Sequence, residues 1–302
     1  MRLALVINRS AGSFRRLPLD STVPAIAVAL GAAGHVIETH VVGRRDLART
    51  LSHLASGAAG IDAVVVGGGD GTILTAILAG LGQSLPLGIL PLGTLNLFAR
   101  DLGLDTDPLE AARQLAGAQP ASIDLAEVNG LPFAIWASLG MHPWVVRRRD
   151  HLQRDGMRKW LAMLVAAMRA FRRYPMVEAT LSTAEGSRTI STPMLFITNN
   201  AWKEEVPPLS REALDTGQLV IHVAACSSRL SLLWLILEAA LGHWRHSKRL
   251  QTLTATEVRV TSRKHRMMVS LDGEVTVLHS PLVFKVKPKA LQVLMPVRTE
   301  RA

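Results

Sequence analysis

The sequence has little cysteine, few aromatic residues and no long apolar run. Its single cysteine, Cys226, excludes an internal disulfide and a cysteine-based zinc site, and it is consistent with a reducing compartment and a place in the core. Two apolar runs, 160–168 and 230–237, are far shorter than the roughly 20 residues of a membrane-spanning helix. The N-terminal run 3–7 is too short for the core of a signal peptide. We therefore expect a soluble chain that resides in the cytoplasm.

What the sequence does contain is typical of a globular protein with an anionic partner. Its 302 residues correspond to two domains at roughly 150 residues each. Apolar residues make up 48% and charged residues 19%, which excludes a disordered protein. The 34 Lys and Arg against 24 Asp and Glu give a net charge of +10, which favours nucleic acid, an anionic membrane or a phosphate-rich substrate. Because aromatic residues make up only 4%, the interleaved aromatics of single-strand nucleic-acid binding are missing.

The first 120 residues alternate short apolar segments with helix-like segments. This alternation predicts a parallel sheet covered by helices on both faces, in an α/β domain. Ligands of such sheets bind beyond the carboxyl ends of the strands, where three predicted strands lead into the loops 8–12, 67–72 and 91–96. The predicted strands cover 2–8, 35–42, 61–66 and 87–90, and the predicted helices cover 21–33, 46–56 and 72–81.

After about residue 121 the pattern changes to short, partly alternating apolar segments separated by turn residues. This pattern is typical of an antiparallel β-sandwich. Two helices, 158–172 and 230–244, interrupt it. We therefore predict an α/β nucleotide-binding domain over 1–122, completed by about 284–302, and a mainly antiparallel β-sandwich domain over 123–283.

The segment 67–72, Gly-Gly-Gly-Asp-Gly-Thr, is the strongest local signal. Its four glycines stand between a buried strand and a helix, where bare backbone N–H groups and the helix N-terminus form an anion site. Asp70 can bind Mg²⁺ or act as a base, and Thr72 can cap the helix or contact a phosphate. The spacing fits neither a P-loop, since no lysine follows, nor the Gly-x-Gly-x-x-Gly of dinucleotide-binding folds.

Two further motifs accompany this loop. The segment 90–100 also follows a strand and opens a helix, and it offers Thr94 and Asn96 as polar groups that either cap the helix or line a site. The segment 269–275 places Asp272-Gly273-Glu274 between alternating apolar runs. Asp-Gly in this setting indicates a hairpin, and the two carboxylates could also bind Mg²⁺ and deprotonate a hydroxyl.

Together the three motifs resemble those of the diacylglycerol kinase catalytic-domain family of lipid kinases, which has bacterial and sphingosine kinase branches. The resemblance covers nearly the whole chain. It begins at 8–12, Asn-Arg-Ser-Ala-Gly, which is similar to the family's Asn-Pro-x-Ser-Gly nucleotide loop, continues through 196–200 and 214–219, and ends at 271–274. The resemblance implies an ATP- and Mg²⁺-dependent lipid kinase of phospholipid metabolism that acts on a diacylglycerol-type or related lipid.

The resemblance also implies roles for individual residues. Glu274 would accept the proton of the lipid hydroxyl, with Asp272 and Asp70 arranging Mg²⁺ and the base, and Asp215 is a further candidate metal ligand. The residues expected to bind ATP are Asn8, Ser10, Gly12, Gly67, Gly68, Gly69, Gly71, Thr72, Thr94 and Asn96.

The chain departs from the family pattern at three places. Arg9 replaces the proline of the first loop, and Leu74-Thr75 stands where Asn-Glu is common. Thr216 occupies the position of a structural-metal Asp, with Asp215 one residue earlier.

The expected partners are a lipid substrate and an anionic membrane surface, which the chain would contact peripherally. Basic segments such as 147–149 and 169–173, and the apolar helices with basic flanks, could meet headgroups or could simply face solvent or pack. Nucleic acid is not expected, and a homodimer is left open. Two alternatives remain: a kinase of small molecules like NAD kinase, and a non-catalytic lipid-binding scaffold.

Overall fold

The computed structural model describes residues 1–57, 60–203 and 210–297. These residues divide into two compact units: the first contains residues 1–57, 60–125 and 288–297, and the second contains residues 126–203 and 210–287. The predicted return of the chain over 284–302 ends with residues 298–302, which lie outside the described residues. In the described part of the chain, no helix is both long and apolar enough to cross a membrane.

The first unit is an α/β domain. Its strands β1 (Arg2–Asn8), β3 (Ala63–Gly68) and β4 (Leu87–Pro91) are buried along nearly their whole length, as expected for the centre of a sheet covered on both faces. All pairs in the order β2–β1–β3–β4 are parallel, which confirms the predicted parallel sheet. The elements are β1 (Arg2–Asn8), α1 (Leu19–Gly31), β2 (Val36–Val42), α2 (Arg44–Ala55), β3 (Ala63–Gly68), α3 (Asp70–Leu78), β4 (Leu87–Pro91), α4 (Leu97–Asp101) and α5 (Pro108–Ala116).

The second unit is built mainly from antiparallel strands. Its strands and α-helices are β5 (Gln119–Val128), β6 (Leu131–Phe133), β7 (Trp136–Gly140), α6 (Met141–Arg154), α7 (Lys159–Arg173), β8 (Val177–Thr183), β9 (Gly186–Thr192), β10 (Met194–Asn199), β11 (Leu219–Ala224), α8 (Arg229–Ala240), β12 (Leu250–Ala255), β13 (Glu257–Thr261), β14 (Arg266–Leu271), β15 (Glu274–His279) and β16 (Leu282–Met295), of which β5 and β16 cross the boundary between the units.

Two sheets of the second unit pack face to face. One has the order β12–β11–β10–β7–β14–β15 and is antiparallel throughout; in the other, β16 pairs with β13, β13 with β8 and β8 with β9, again antiparallel. Their inner faces share one core, in which the rings of Phe133 and Phe284 meet edge to face with centroids 6.3 Å apart. The predicted β-sandwich is confirmed.

The helices of the second unit differ from the prediction in two places. Helix α6 was not predicted, because its sequence begins with a proline-containing turn and continues into a run of arginines. Pro143 lies in the first turn, where no backbone N–H is needed for an intrahelical bond. The helix predicted over 230–244 ends as α8 at Ala240, because Gly242 adopts a left-handed conformation with φ 82° and the His243 N–H bonds back to the carbonyl of Glu238.

Candidate functional site

Three loops of the first unit meet at the carboxyl edge of the parallel sheet. They follow β1, β3 and β4, which are neighbours in the sheet, so that their ends lie side by side. The Asn8 side chain joins the first loop to the second: its Nδ2 donates to Thr72 Oγ1 at 3.0 Å, while its Oδ1 accepts from the Ser10 N–H at 3.0 Å. The polar side chains predicted at two separate loops therefore form one hydrogen-bonded group.

The glycines of the second loop are required by close packing. A Cβ on Gly67 would lie 2.5 Å from the Ile7 side chain, and a Cβ on Gly68 would lie 2.4 Å from the side chain of Thr72. A Cβ on Gly93 of the third loop would lie 2.4 Å from the Gly69 Cα, which is a backbone atom. The second and third loops can thus approach each other at Gly69 and Gly93 only while both positions carry glycine.

Asp70 lies at the beginning of α3 and also reaches α4. Its Oδ1 accepts from the Phe98 N–H at 3.4 Å, so the carboxyl group lies near the N-terminal ends of two helices. Burial raises the pKa of Asp70 above its ordinary value of 3.8, and nearby Asp101 adds to the rise. The backbone N–H groups of Phe98 and Leu97 oppose it. A partly desolvated carboxylate of this kind gains from a cation or from a proton.

Thr94 and Asn96 have different settings in the third loop. Asn96 is 8% exposed and adopts a left-handed conformation with φ 50°; its Oδ1 accepts from the Gly93 N–H at 2.7 Å and its Nδ2 donates to the Gly93 carbonyl at 3.3 Å. It occupies the position before α4 but gives no side-chain cap to that helix. Its amide holds the third loop in shape, and its predicted contact with the nucleotide stays a prediction. Thr94 is exposed, and its Oγ1 lies 3.8 Å from where a Cβ on Gly12 would stand.

Arg9, which replaces the family's proline, makes a backbone contact that proline could not make. Its N–H donates to the Val42 carbonyl at 3.0 Å, which extends the pairing of β1 with β2 by one bond. Arg9 in place of proline therefore adds one backbone hydrogen bond between β1 and β2.

The Asp272-Gly273 pair forms the turn of the β14–β15 hairpin. Both residues have positive φ, 46° and 88°, and Leu271 pairs with Glu274, as the Asp-Gly signal predicts. Glu274, the predicted base, is the first residue of β15 and is exposed.

The Asp272 carboxylate is enclosed by backbone. It accepts three N–H bonds of 2.7–2.9 Å from Ala134, Ile135 and Trp136, which precede or open β7. Burial raises the pKa of Asp272 to about 6, although these N–H groups and Arg211 lower it. The carboxylate therefore holds the turn against the backbone of residues 134–136, and its predicted ligation of a metal stays a prediction.

Arg211 was not predicted as a site residue, yet it bonds to the backbone beside the Asp272 contacts. It is 3% exposed, and its Nη1 donates to the carbonyls of Ala134 and Asn199 at 2.8 and 2.9 Å. Asn199 in turn donates to the Ala134 carbonyl at 3.0 Å. Asn199 lies in a segment that carries the family resemblance, whereas nothing in the local sequence distinguishes Arg211 from the other 26 arginines.

The three predicted metal ligands have different settings. Asp70 belongs to the first unit, whereas Asp215 and Asp272 belong to the second, in which Asp215 is exposed and Asp272 is enclosed. Across residues 1–57, 60–203 and 210–297, no three His, Cys, Asp or Glu side chains are arranged to hold a metal ion. At the position of the family's structural-metal Asp, Thr216 donates through its N–H and its hydroxyl to Asn200 Oδ1.

A parallel sheet with glycine-lined loops, followed by an antiparallel sandwich, is the architecture of a two-domain kinase-like protein. The chain belongs to the diacylglycerol kinase catalytic-domain family of lipid kinase-like proteins, in its YegS form. The model of the diacylglycerol kinase catalytic domain matches residues 2–128, and that of the YegS C-terminal NAD kinase beta sandwich-like domain matches residues 136–295.

Several proteins are similar to this chain over most of its length. A protein of Chromohalobacter salexigens named "Probable lipid kinase YegS-like" is 26% identical, over 84% of each chain. An uncharacterized protein of Synechocystis is 25% identical over 78% of this chain, which spans only 55% of that relative's length. A diacylglycerol kinase structure from Bacillus anthracis has the same fold, with a TM-score of 0.70, 17% identity, and coverage of 97% of this chain and 96% of the other.

Proposed function

We propose that this protein is an ATP- and Mg²⁺-dependent kinase that transfers the γ-phosphate to the hydroxyl of a lipid. The observation that carries the proposal is the junction of three glycine-containing loops at the carboxyl edge of the parallel sheet. Uncovered backbone and the N-terminus of α3 at one edge are suited to bind phosphate groups. The family and its relatives support lipid kinase chemistry in general; the nucleotide, the metal and the acceptor are our proposal.

The loop residues divide into those that hold the junction and those that face the nucleotide. Asn8, Thr72 and Asn96 are buried and bonded within the loops, so they fix the loop geometry. Ser10 and Thr94 are exposed hydroxyl-bearing residues next to this junction. We assign the direct phosphate contacts to these hydroxyls and to the backbone N–H groups of the second loop.

Asp70 fits a magnesium ion as a single carboxylate ligand. Protein Mg²⁺ sites of this type use one or two carboxylates together with substrate phosphates. The raised pKa of Asp70 means that the backbone N–H groups around it only partly offset the burial of its charge, and a cation would add to that compensation. When bound, Mg²⁺ neutralises charge on the transferred phosphate.

Glu274 is assigned as the base that takes the proton from the lipid hydroxyl. Its exposed position at the start of β15 leaves the carboxylate accessible, while Asp272 fixes the turn that carries it. Proton removal by a positioned carboxylate and in-line placement of the acceptor are the protein's main tasks in phosphoryl transfer.

The second unit also presents a surface suited to an anionic membrane. Helix α7 exposes Trp160 by 77% together with Leu161, Leu164 and Met168, and α8 exposes Leu230 and Trp234 among others. Beside α6 and α7 lies a groove of about 520 Å³ lined by Arg147, Arg148, Arg169 and Arg173. Apolar side chains next to arginines match a bilayer with anionic headgroups, and we propose peripheral contact through these helices.

The function is tested by incubating the purified protein with Mg-ATP labelled at the γ-phosphate and vesicles of diacylglycerol, phosphatidylglycerol and a sphingoid base. We expect label in the lipid fraction, and loss of that label in Glu274→Gln. A parallel reaction with NAD tests the small-molecule alternative. Label in NAD and none in lipid would refute the lipid acceptor, and ATP binding without transfer to either would indicate a non-catalytic scaffold.

A further inference from the structure

Helices α6 and α7 of the second unit pack together and border a groove of about 520 Å³ that is lined by arginines. Arg147 and Arg148 line it from α6, and Arg169 and Arg173 line it from α7. Arg169 and Arg173 are four residues apart, so they lie on one face of their helix. Four guanidinium groups from two neighbouring helices therefore line the same concave space.

Within the part of the chain that the structure describes, acidic side chains do not balance the positive charges of this groove. No Asp or Glu of that part lines the groove, and none of its four arginines forms an ion pair there. The neighbouring Arg149 does have a partner, since its Nη2 lies 2.7 Å from Asp150 Oδ1. Arg147 Nη1 lies 3.9 Å from the sulfur of Met268, which is only a weak acceptor. Like charges in one space repel each other, and a bound anion would relieve this repulsion.

The number of arginines favours a phosphate group that carries two charges. A guanidinium group binds phosphate through two parallel N–H bonds, so four such groups offer more bonds than the two free oxygens of a phosphodiester can accept. A phosphomonoester has three free oxygens and a charge of about −1.5 to −2 at pH 7, against about −1 for a diester. The groove volume is in the usual range of about 300–1,000 Å³ for small-molecule sites, which leaves room for the group that carries the phosphate.

The exposed side of α7 indicates that this phosphomonoester belongs to a membrane lipid. Leu161, Leu164 and Met168 form an apolar ridge in which each side chain is at least half exposed, at 52%, 56% and 50%. Arg169 follows Met168 directly, so the arginine face lies about 100° around the helix from this ridge. An interfacial helix places its apolar side about 5–10 Å into the boundary between headgroups and acyl chains. With the ridge in that position, the groove beside it lies at the depth of the phosphate groups.

We propose that the groove between α6 and α7 binds the phosphomonoester headgroup of a lipid phosphate in the membrane, through Arg147, Arg148, Arg169 and Arg173. This selectivity goes beyond the general attraction of a basic surface to anionic lipids. The inference rests on the proposed function, because a lipid phosphate is the class of product that a lipid kinase releases. Bound product would hold the enzyme at the membrane in which the product forms.

The test measures co-sedimentation with phosphatidylcholine vesicles that contain either phosphatidic acid, a phosphomonoester, or phosphatidylglycerol, a phosphodiester, at equal zeta potential. The groove variant is Arg148→Gln/Arg173→Gln. Its matched control, Arg154→Gln/Arg172→Gln, removes two exposed arginines from the same two helices outside the groove. We expect the groove variant to bind phosphatidic acid vesicles at least about 10-fold more weakly than the control does, as for one lost charge-assisted hydrogen bond, and phosphatidylglycerol vesicles as the control does. Equal losses on both kinds of vesicle, or a groove variant that matches its control on phosphatidic acid, would overturn the proposal.

A second variant keeps the charge and removes the fork of the guanidinium group. Arg169→Lys/Arg173→Lys changes two exposed residues, so the fold should be kept. Because lysine binds phosphate as a point charge, we expect the preference for phosphatidic acid over phosphatidylglycerol to fall by about 2- to 10-fold. An unchanged preference would refute recognition of the headgroup by these arginines.

Competition with glycerol 3-phosphate, which carries the same phosphate group without acyl chains, tests the source of the ligand. We expect it to leave the protein on phosphatidic acid vesicles when its concentration equals that of the vesicle lipid, since it gains nothing from the apolar ridge. Displacement at that concentration would assign the groove to a soluble phosphate and overturn the lipid source.

Lipid phosphorylation by the native protein is measured separately. A preference for phosphatidic acid without phosphorylation would refute the kinase function alone. Phosphorylation without this preference would refute the headgroup site alone.

Discussion

Replacing Gly93 by alanine tests whether the loop junction depends on backbone contact between two glycines. The added Cβ would lie 2.4 Å from Gly69 Cα and 2.7 Å from Asn96 Oδ1. The first of these neighbours is backbone, and the second is an amide fixed by two bonds to Gly93 itself, so neither can move independently of the loop. Overpacking of this kind costs about 1–3 kcal/mol. We expect Gly93→Ala to lower the free energy of unfolding by that amount and to weaken ATP binding.

The control is Gly117→Ala, at the end of α5. This glycine has φ −99°, and a Cβ there would meet no atom within 4 Å. Its effect on the free energy of unfolding should stay within about 0.5 kcal/mol, as for other surface substitutions. Urea unfolding followed by circular dichroism measures the stability of both variants, and titration with a non-hydrolysable ATP analogue measures nucleotide affinity. A Gly93→Ala protein that matches the native one in both measurements would refute the role of the Gly69–Gly93 contact.

Three further predictions concern the second unit. Asp272→Asn should lower the free energy of unfolding by about 1–3 kcal/mol at pH 8, since one of the backbone N–H groups that it binds loses its acceptor; unchanged urea unfolding would contradict this. Burial lowers the pKa of His222 to about 4 in the folded protein, below the value of about 6.5 in the unfolded chain. The neutral ring therefore contributes up to about 3 kcal/mol to the free energy of unfolding, which is present above pH 6.5 and lost as pH falls toward 4. His222→Phe should flatten this part of the stability–pH curve, and an unaltered curve would refute the burial argument. Trp160→Ser and Arg169→Glu should each reduce co-sedimentation with phosphatidylglycerol vesicles without affecting stability, and undiminished binding would exclude the proposed membrane face.

The sequence predicts the first unit well because its signals are local. Buried strands are short, apolar along their whole length and followed at once by glycines or polar residues, so the parallel sheet and its three loops can be located directly. The role of Asn96 could not be predicted in this way. Asparagine before a helix usually caps it, whereas Asn96 is turned by its left-handed backbone toward Gly93.

Less of the second unit can be predicted from local sequence, because its key contacts join residues that are far apart in the chain. The Asp-Gly hairpin was predictable from two residues, but the contacts of Asp272 come from residues 134–136, far away in the sequence. The apolar pocket on the outer face of the six-stranded sheet likewise combines side chains from residue 136 to residue 250, which become neighbours only when the strands pair. The sequence of β10 indicates that both of its faces are apolar, but it does not show that one face borders a pocket.

The measurement that tests the account most directly is transfer of labelled γ-phosphate from Mg-ATP to a lipid by the native protein and by Glu274→Gln. Glu274 is exposed, so the substitution should leave the unfolding curve unchanged. We predict labelled lipid with the native protein and its loss with the variant. Label that never enters the lipid fraction would contradict the proposed function, and a Glu274→Gln protein with full activity would contradict the assignment of the base.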